Sequence, residues 1–319
     1  METADAKIAD GGDKIIGNFP CLVLRKVNKS VMQSSVFPFA HTYNTSDGEN
    51  IFNKHNQHAL TSGMRMGQIL VNRLQVRNDP QVTHFTRQPH GKIDRRILSQ
   101  LGMDIESVFK RTTVDTYKPV LIHLSLDASG SMGGKKFSKC ITVATAMAYV
   151  ASKISNIDVV ITLRGDSTIP VVAVVYDSRV DNFQKVRSLF PSFYAHGSTP
   201  EGLCFKATMD LITEAQGKYD MYFINFSDGE PGSSVRHKGE YKNYSGKLAE
   251  DHTRRQVHMM REAGVKILSY FITDVPMYKH NLSRIAFKNM YGEDASFVNV
   301  ENVTDVLRTM NKLLLSKGA

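Results

Sequence analysis

Two largely apolar runs, Val120–Leu126 and Met221–Phe226, constrain this chain most. Each has strand length and only His123, Ser125 and Asn225 interrupt them, with no charged residue inside either, so each strand reads as covered on both faces. Each also ends in a carboxylate set among hydroxyls: Asp127-Ala-Ser129-Gly-Ser131 after the first, Ser227-Asp228-Gly229 after the second. Open α/β sheets bind ligands outside the carboxyl ends of their strands, where the strand order reverses. Hard oxygen donors in that place suit Mg²⁺, with Mn²⁺ or Ca²⁺ as alternatives, rather than a soft metal.

The flanking pattern agrees with a parallel sheet. Phe137–Ile154 reads as a helix, with Cys140, Val143, Ala144, Met147 and Ala151 on a broad apolar face. Asp158–Leu163 and Val171–Tyr176 are β-branched strands, and the turn chemistry of Gly165-Asp-Ser-Thr between them predicts an antiparallel hairpin. Asn182–Leu189 is a short helix, and Thr199-Pro200-Glu201 opens another that should run to about Ala215. Helices over Lys247–Ala263, Leu282–Met290 and Val303–Leu315 then alternate with strands at Lys266–Thr273 and Ser296–Val300. The expected class is α/β: a mainly parallel central sheet over residues 118–319 with helices on both faces. Residues 1–117 read as a smaller helical and irregular appendage. Within it a strand is expected at Cys21–Val27 and helices near 58–77 and 94–109, the first stopped by Asn78-Asp79-Pro80.

At 319 residues and 41% hydrophobic, the chain can bury a sizeable core. Its apolar runs are too short to span a bilayer, and Met1–Ala6 lacks the basic start of a signal peptide. Three widely spaced cysteines fit reduced thiols, so a cytoplasmic protein is expected. A net charge of +9 with a pI near 9.3 invites a nucleic-acid-binding scaffold as one alternative. Lys and Arg are scattered, however, and the densest pairs are Arg95-Arg96, Lys135-Lys136 and Arg254-Arg255. Solvated faces with a general affinity for acidic partners are the simpler account.

A third motif, Gly197-Ser-Thr199-Pro-Glu-Gly202, sets a hydroxyl at a loop-to-helix junction. In a doubly wound sheet the three motifs converge, so Asp127, Ser129, Ser131, Thr199 and Asp228 could share one ion and leave a coordination position for a partner's carboxylate. Taken singly, each is an ordinary helix cap or turn; their joint placement at strand ends argues for the metal.

Rival chemistries fail on these same residues. Ser129-Gly-Ser131-Met-Gly133 lacks the first glycine of a nucleophile elbow, although Asp228 and then His252, His258 or His280 follow in hydrolase order. A P-loop would need Gly at position 129 and a hydroxyl at Lys136. A phosphoryl-accepting Asp127 would want an acid at Ser129. No catalytic residue is therefore expected in this chain. His55 and His58, with His84 and His90, fit solvated or core histidines better than a metal site. Phe37, Phe39, Tyr43 and Phe52 fit packing better than base stacking. The polar stretch from Pro231 to Tyr244 reads as a mobile loop at the metal edge, open to a partner or simply on the surface.

Asp127-Ala-Ser-Gly-Ser131, Thr199 in Gly-Ser-Thr-Pro and Asp228 in Ser-Asp-Gly resemble the metal-ion-dependent adhesion site (MIDAS) of von Willebrand factor A (VWA) domains, at all five positions and over about residues 118–319. The resemblance implies a Rossmann-like sheet carrying Mg²⁺ at its upper edge. Ser129, Ser131 and Thr199 would lie on or near the ion, and Asp127 and Asp228 would often act through water. A narrower likeness, in Gly91-Lys-Ile-Asp-Arg-Arg96 and Val108-Phe-Lys-Arg111 leading into the Asp127 strand, is to the C-terminal part of CobT-type proteins, the VWA subunit of cobalt chelatase. It implies partnership with a MoxR-type AAA+ ATPase (CobS in the chelatase) and a client with an exposed Asp or Glu. A non-catalytic subunit of a cobalt or magnesium chelatase, tied to cobalamin biosynthesis, is the second alternative.

Overall fold

The computed structural model describes residues 5–44, 46, 50–52, 54–75, 81–103, 106–115, 118–229, 231–237, 240–273, 281–299 and 303–315. The chain begins with β1 (Ala6–Asp10), β2 (Pro20–Leu24), α1 (Lys29–Met32), β3 (Thr42–Asn44), β4 (Asn50–Phe52) and α2 (Gln57–Leu74). There follow β5 (Gln81–Gln88), β6 (Lys92–Ile93), β7 (Phe109–Asp115), β8 (Val120–Asp127), α3 (Lys135–Ala151), β9 (Ile157–Asp166) and β10 (Pro170–Asp177). Next come α4 (Phe183–Leu189), α5 (Glu201–Ala207), α6 (Met209–Thr213), β11 (Asp220–Ser227), β12 (Gly232–His237) and β13 (Glu240–Ser245). Last are α7 (Gly246–Glu262), β14 (Lys266–Thr273), α8 (Asn281–Tyr291), β15 (Ala295–Asn299) and α9 (Val303–Leu315).

Eight strands form the main sheet in the order β1-β2-β10-β9-β8-β11-β14-β15. From β9 to β15 every pairing is parallel, while β10 runs antiparallel to β9. The six strands from β10 to β15 thus have the doubly wound order, with β8 at the switch point. This is the Rossmann-like α/β architecture expected of a VWA-type chain. Burial of successive residues of β8 on opposite faces explains its largely apolar run. Ile122, Leu124 and Leu126 enter one core with α2, α3, α4 and α9, while Leu121 enters the other with α5, α6, α7 and α8.

The N-terminal residues are more than an appendage. β2 pairs parallel with β10 and β1 antiparallel with β2, so the sheet itself crosses the expected border at 117/118. Leu22, Val23 and Leu24 supply backbone partners that would otherwise leave β10 a long apolar edge. Helix α2 also lies close on α3. A Cβ at Gly63 would come within 2.6 Å of Thr142 O, and one at Gly67 within 2.8 Å of Tyr149 Cβ.

The helix expected near 94–109 does not form. In its place stand β6, a 3₁₀ segment at Leu98–Met103 and the start of β7. The Asp94 carboxylate accepts the Arg96 N–H at 3.1 Å, a local turn that competes with helix. The β-branched run after Phe109 then finds an antiparallel partner in β5. The helix near 58–77 forms as α2; its expected stop at 78–80 lies outside the described residues, as do 76–77. The helix expected from Thr199 to Ala215 is broken at Thr208, whose hydroxyl donates to Cys204 O at 2.8 Å. Pro231–Tyr244 is not a bare loop, because β12 and β13 pair there as a hairpin. The hairpin is held by the fully buried Tyr244, whose hydroxyl lies 3.1 Å from His252 Nδ1.

Among the described residues no helix is long and apolar enough to cross a membrane. Cys21, Cys140 and Cys204 are buried free thiols. Phe37 and Phe39 belong to the main core, whereas the side chains of Tyr43 and Phe52 lie outside the described residues.

Candidate metal centre

Parallel pairing of β8 with β11 brings Leu126 opposite Phe226, so both strands end at the same sheet edge. Asp127 is wholly buried there, and both of its carboxylate oxygens are occupied. Oδ1 accepts the Ser129 N–H at 2.8 Å, Oδ2 accepts the Ser227 hydroxyl at 3.0 Å, and the Arg164 guanidinium lies 3.6 Å away. Burial raises its pKa to about 6; Arg164 opposes the rise, while the nearby Asp228 and Glu201 add to it. Asp127 therefore positions the turn that follows it.

That turn presents the hydroxyls. Ser129 Oγ and Ser131 Oγ are 3.1 Å apart, and Ser131 donates to Asp228 Oδ1 at 2.8 Å. The Lys136 ammonium, from the first turn of α3, bonds to the other oxygen of Asp228. The loop before α5 is tied to the same turn. Gly130 N–H donates to Gly197 O at 2.8 Å, and His196 N–H donates to Ala128 O. Gly197 has φ +87, and a Cβ there would stand 2.2 Å from Asp166 O, so only glycine lets this loop approach. Asp166 anchors the arrangement by accepting Ser198 N–H and the Ser233 hydroxyl. Thr199 exchanges backbone hydrogen bonds with Gly232, and its hydroxyl has no hydrogen-bond partner among the described residues.

Direct hydrogen bonds thus join Asp127, Ser129, Ser131 and Asp228, and Thr199 follows on the loop pinned to Gly130. The donor set fits a small hard cation. For Mg–O bonds of about 2.0–2.1 Å, neighbouring octahedral ligands stand about 2.9 Å apart, close to the two spacings at Ser131. A softer site is not on offer: among the described residues, no three His, Cys, Asp or Glu cluster as metal ligands. His55 and His58 are both exposed, and His84 faces Thr112. His252 is buried against Tyr244 and lies 3.8 Å from Asp13, so it is engaged elsewhere than at Ser131.

Four participants escape a reading of the motifs alone: Arg164, Glu201, Ser227 and Lys136. Arg164 is paired with Asp127 across β8 and β9. Fully buried, it donates to Ser125 Oγ at 3.0 Å, Glu201 Oε1 at 2.6 Å and Phe226 O at 3.2 Å. Glu201, the first residue of α5, also accepts from Asn225 at 3.0 Å. Arg164 left one clue in the sequence, a cation directly following the apolar strand 158–163. Lys136 stood out in the sequence as half of a basic pair and as the residue that spoils a P-loop, neither of which points to Asp228.

No family model matches the chain, and no curated protein matches it either. Among solved structures it is similar to the pilus adhesin SpaC from Lactobacillus rhamnosus GG in its open conformation. The identity is 13% and the TM-score 0.47, over 64% of this chain and 31% of the adhesin. It is also similar to proximal thread matrix protein 1 from the mussel byssus, a structure with a zinc-occupied MIDAS motif, at 13% identity and TM-score 0.40 over 67% of this chain and 50% of that one. The VWA domain of SpRpn10 gives 13% and 0.37, over 59% of this chain and 95% of that domain. The chain spans about a third of the adhesin's length and half of the byssus protein's. What the site does rests on its own residues.

Proposed function

We propose that this chain is a VWA-type adaptor that holds Mg²⁺ at the β8–β11 edge and uses it to capture a carboxylate on a partner protein. Ser129, Ser131, Thr199 and Asp228 would hold the ion, with Asp127 shaping the turn. The observation that carries this reading is Ser131, whose hydroxyl contacts both Ser129 Oγ and Asp228 Oδ1 at the switch point. An ion held largely by neutral hydroxyls keeps much of its charge, so a partner's Asp or Glu would complete its coordination. The bound ion supplies a Lewis-acidic docking point, and no covalent step is assigned to this chain.

As partner we propose a MoxR-type AAA+ ring, on the strength of the CobT-like stretches at 91–96 and 108–111, with a client bearing an exposed acid. Titration calorimetry with Mg²⁺ tests the core of the reading. Saturable binding is expected in the parent, and loss is expected in Ser131→Ala and Asp228→Asn. Capture of the ATPase should likewise disappear in EDTA. A parent that takes up neither Mg²⁺ nor Mn²⁺, or capture indifferent to EDTA, would overturn it.

A further inference from the structure

We infer that the cavity beside the metal edge is a groove for an acidic, aromatic-bearing segment of the partner, continuous with the carboxylate at the ion. This deepens the adaptor reading and rests on it for the placement of that carboxylate. The cavity, about 690 Å³, has the size and the mainly apolar walls of a binding cleft. Its lining includes the buried Phe137 and Phe193, the half-buried Tyr194 and Lys139, and the exposed His41 and Lys135.

Three observations identify the occupant. First, the cavity is built on the two loops that build the site. Gly133 and Gly134 follow the Ser129–Met132 turn directly, and Tyr194 and Ala195 lead into His196 and Gly197, which bond to that turn. A chain segment with its acid on the ion would run into this groove within a few residues. Second, the lining holds no Asp or Glu, and among the described residues neither Lys135 nor Lys139 forms an ion pair. Both lysines lie in the first turns of α3, whose N-cap, Gly134, offers no side chain to its backbone N–H groups. Lysine charge and helix dipole therefore favour an anionic guest together. Third, an aromatic platform is already present, since the His41 ring lies over Tyr194 with centroids 4.3 Å apart.

The groove also gives the N-terminal residues a role. His55 and Asn56 line it, and the Asn56 amide donates to Phe193 O at 2.7 Å. Tyr194 N–H donates to Phe39 O at 2.8 Å, and Ala40 bridges Phe193. His41, His55 and Asn56, with Phe39 and Ala40 tied to the neighbouring loop, thus complete one wall, which the α/β part alone would lack.

Fluorescence anisotropy with a labelled oligoglutamate peptide carrying a central phenylalanine tests the groove, on the full chain with Mg²⁺. The parent should bind saturably, and the Lys135→Glu/Lys139→Glu variant should bind on the order of tenfold more weakly or worse. Its calorimetric Mg²⁺ affinity should stay within about twofold of the parent. A serine-for-glutamate peptide should not bind. Absence of saturable binding, or equal binding by the charge-reversed variant, overturns the groove while Mg²⁺ uptake still upholds the adaptor reading. Lysine-sensitive binding that ignores EDTA would instead keep the groove and sink the metal reading. Displacement of the peptide by a tighter-binding single-stranded oligonucleotide would assign the groove to nucleic acid and overturn the inference.

Discussion

Replacing Arg164 with Met probes what holds the metal edge together from beneath. The guanidinium is 1% exposed and compensates two buried acids at once, Glu201 at 2.6 Å and Asp127 at 3.6 Å. It also stacks over Phe205, with its centre 5.5 Å from the ring centroid. Methionine keeps much of the apolar stem, so little cavity is created, and the change mainly strips Glu201 and Asp127 of their counter-ion. Breaking a buried pair from one side costs about 3–5 kcal/mol. In a chain of this size, at about 2 °C per kcal/mol, the melting temperature should drop by roughly 6–10 °C. Urea unfolding followed by far-UV circular dichroism, run beside thermal melts, measures the loss. The companion Arg164→Met/Glu201→Gln removes one of the two stranded charges, the more closely paired one, and should recover about half of the loss. A single variant within about 1 kcal/mol of the parent, or a double variant simply worse than either single one, would refute the view of Arg164 as the shared counter-ion.

Three other outcomes are expected. Saturating Mg²⁺ at about a hundred times its dissociation constant should stabilise the parent by about 2.7 kcal/mol and leave Ser129→Ala unmoved in the same melts; equal stabilisation of both would argue against Ser129. Burial holds His123 and His252 near pKa 4, well below their usual 6.5. The unfolded chain then binds more protons between those values, so this stability is complete above about pH 6.5 and declines as the pH falls towards 4. Urea midpoints across that range should decline for the parent and decline less for His123→Phe, which keeps the ring packing on Phe223. Gly67→Ala should destabilise by about 1–3 kcal/mol although alanine is the better helix former, because α2 and α3 touch there; a neutral or stabilising change would mean that the helices can part.

Much of the candidate site was legible because hydroxyls and carboxylates at fixed spacing behind apolar strands leave a local signature. Asp127, Ser129, Ser131 and Asp228 are joined by hydrogen bonds that their motifs anticipate. The largely apolar runs of β8 and β11, free of charged residues within them, likewise announce a sheet covered on both faces, and their few polar residues, His123, Ser125 and Asn225, are buried with the rest. Where the pattern was weak, tertiary partners decided. Residues 109–115 carry a short β-branched run, Thr112-Thr113-Val114, and become a sheet strand because β5 lies beside them. Cys21–Leu24 reads as a strand anywhere, but only β10's open edge makes it part of the main sheet.

By itself, then, the sequence determined the α/β class, the alternation of elements from Val120 onward and the oxygen donors at two strand ends, each a property of a few consecutive residues. Only the tertiary structure decided that Arg164 lies under Asp127 and Glu201, that Lys136 reaches Asp228 and that His41, His55 and Asn56 wall a groove beside them. Those relations join residues tens of positions apart, up to more than a hundred. They exist only once parallel strands are in register and the chain has closed over both faces of the sheet.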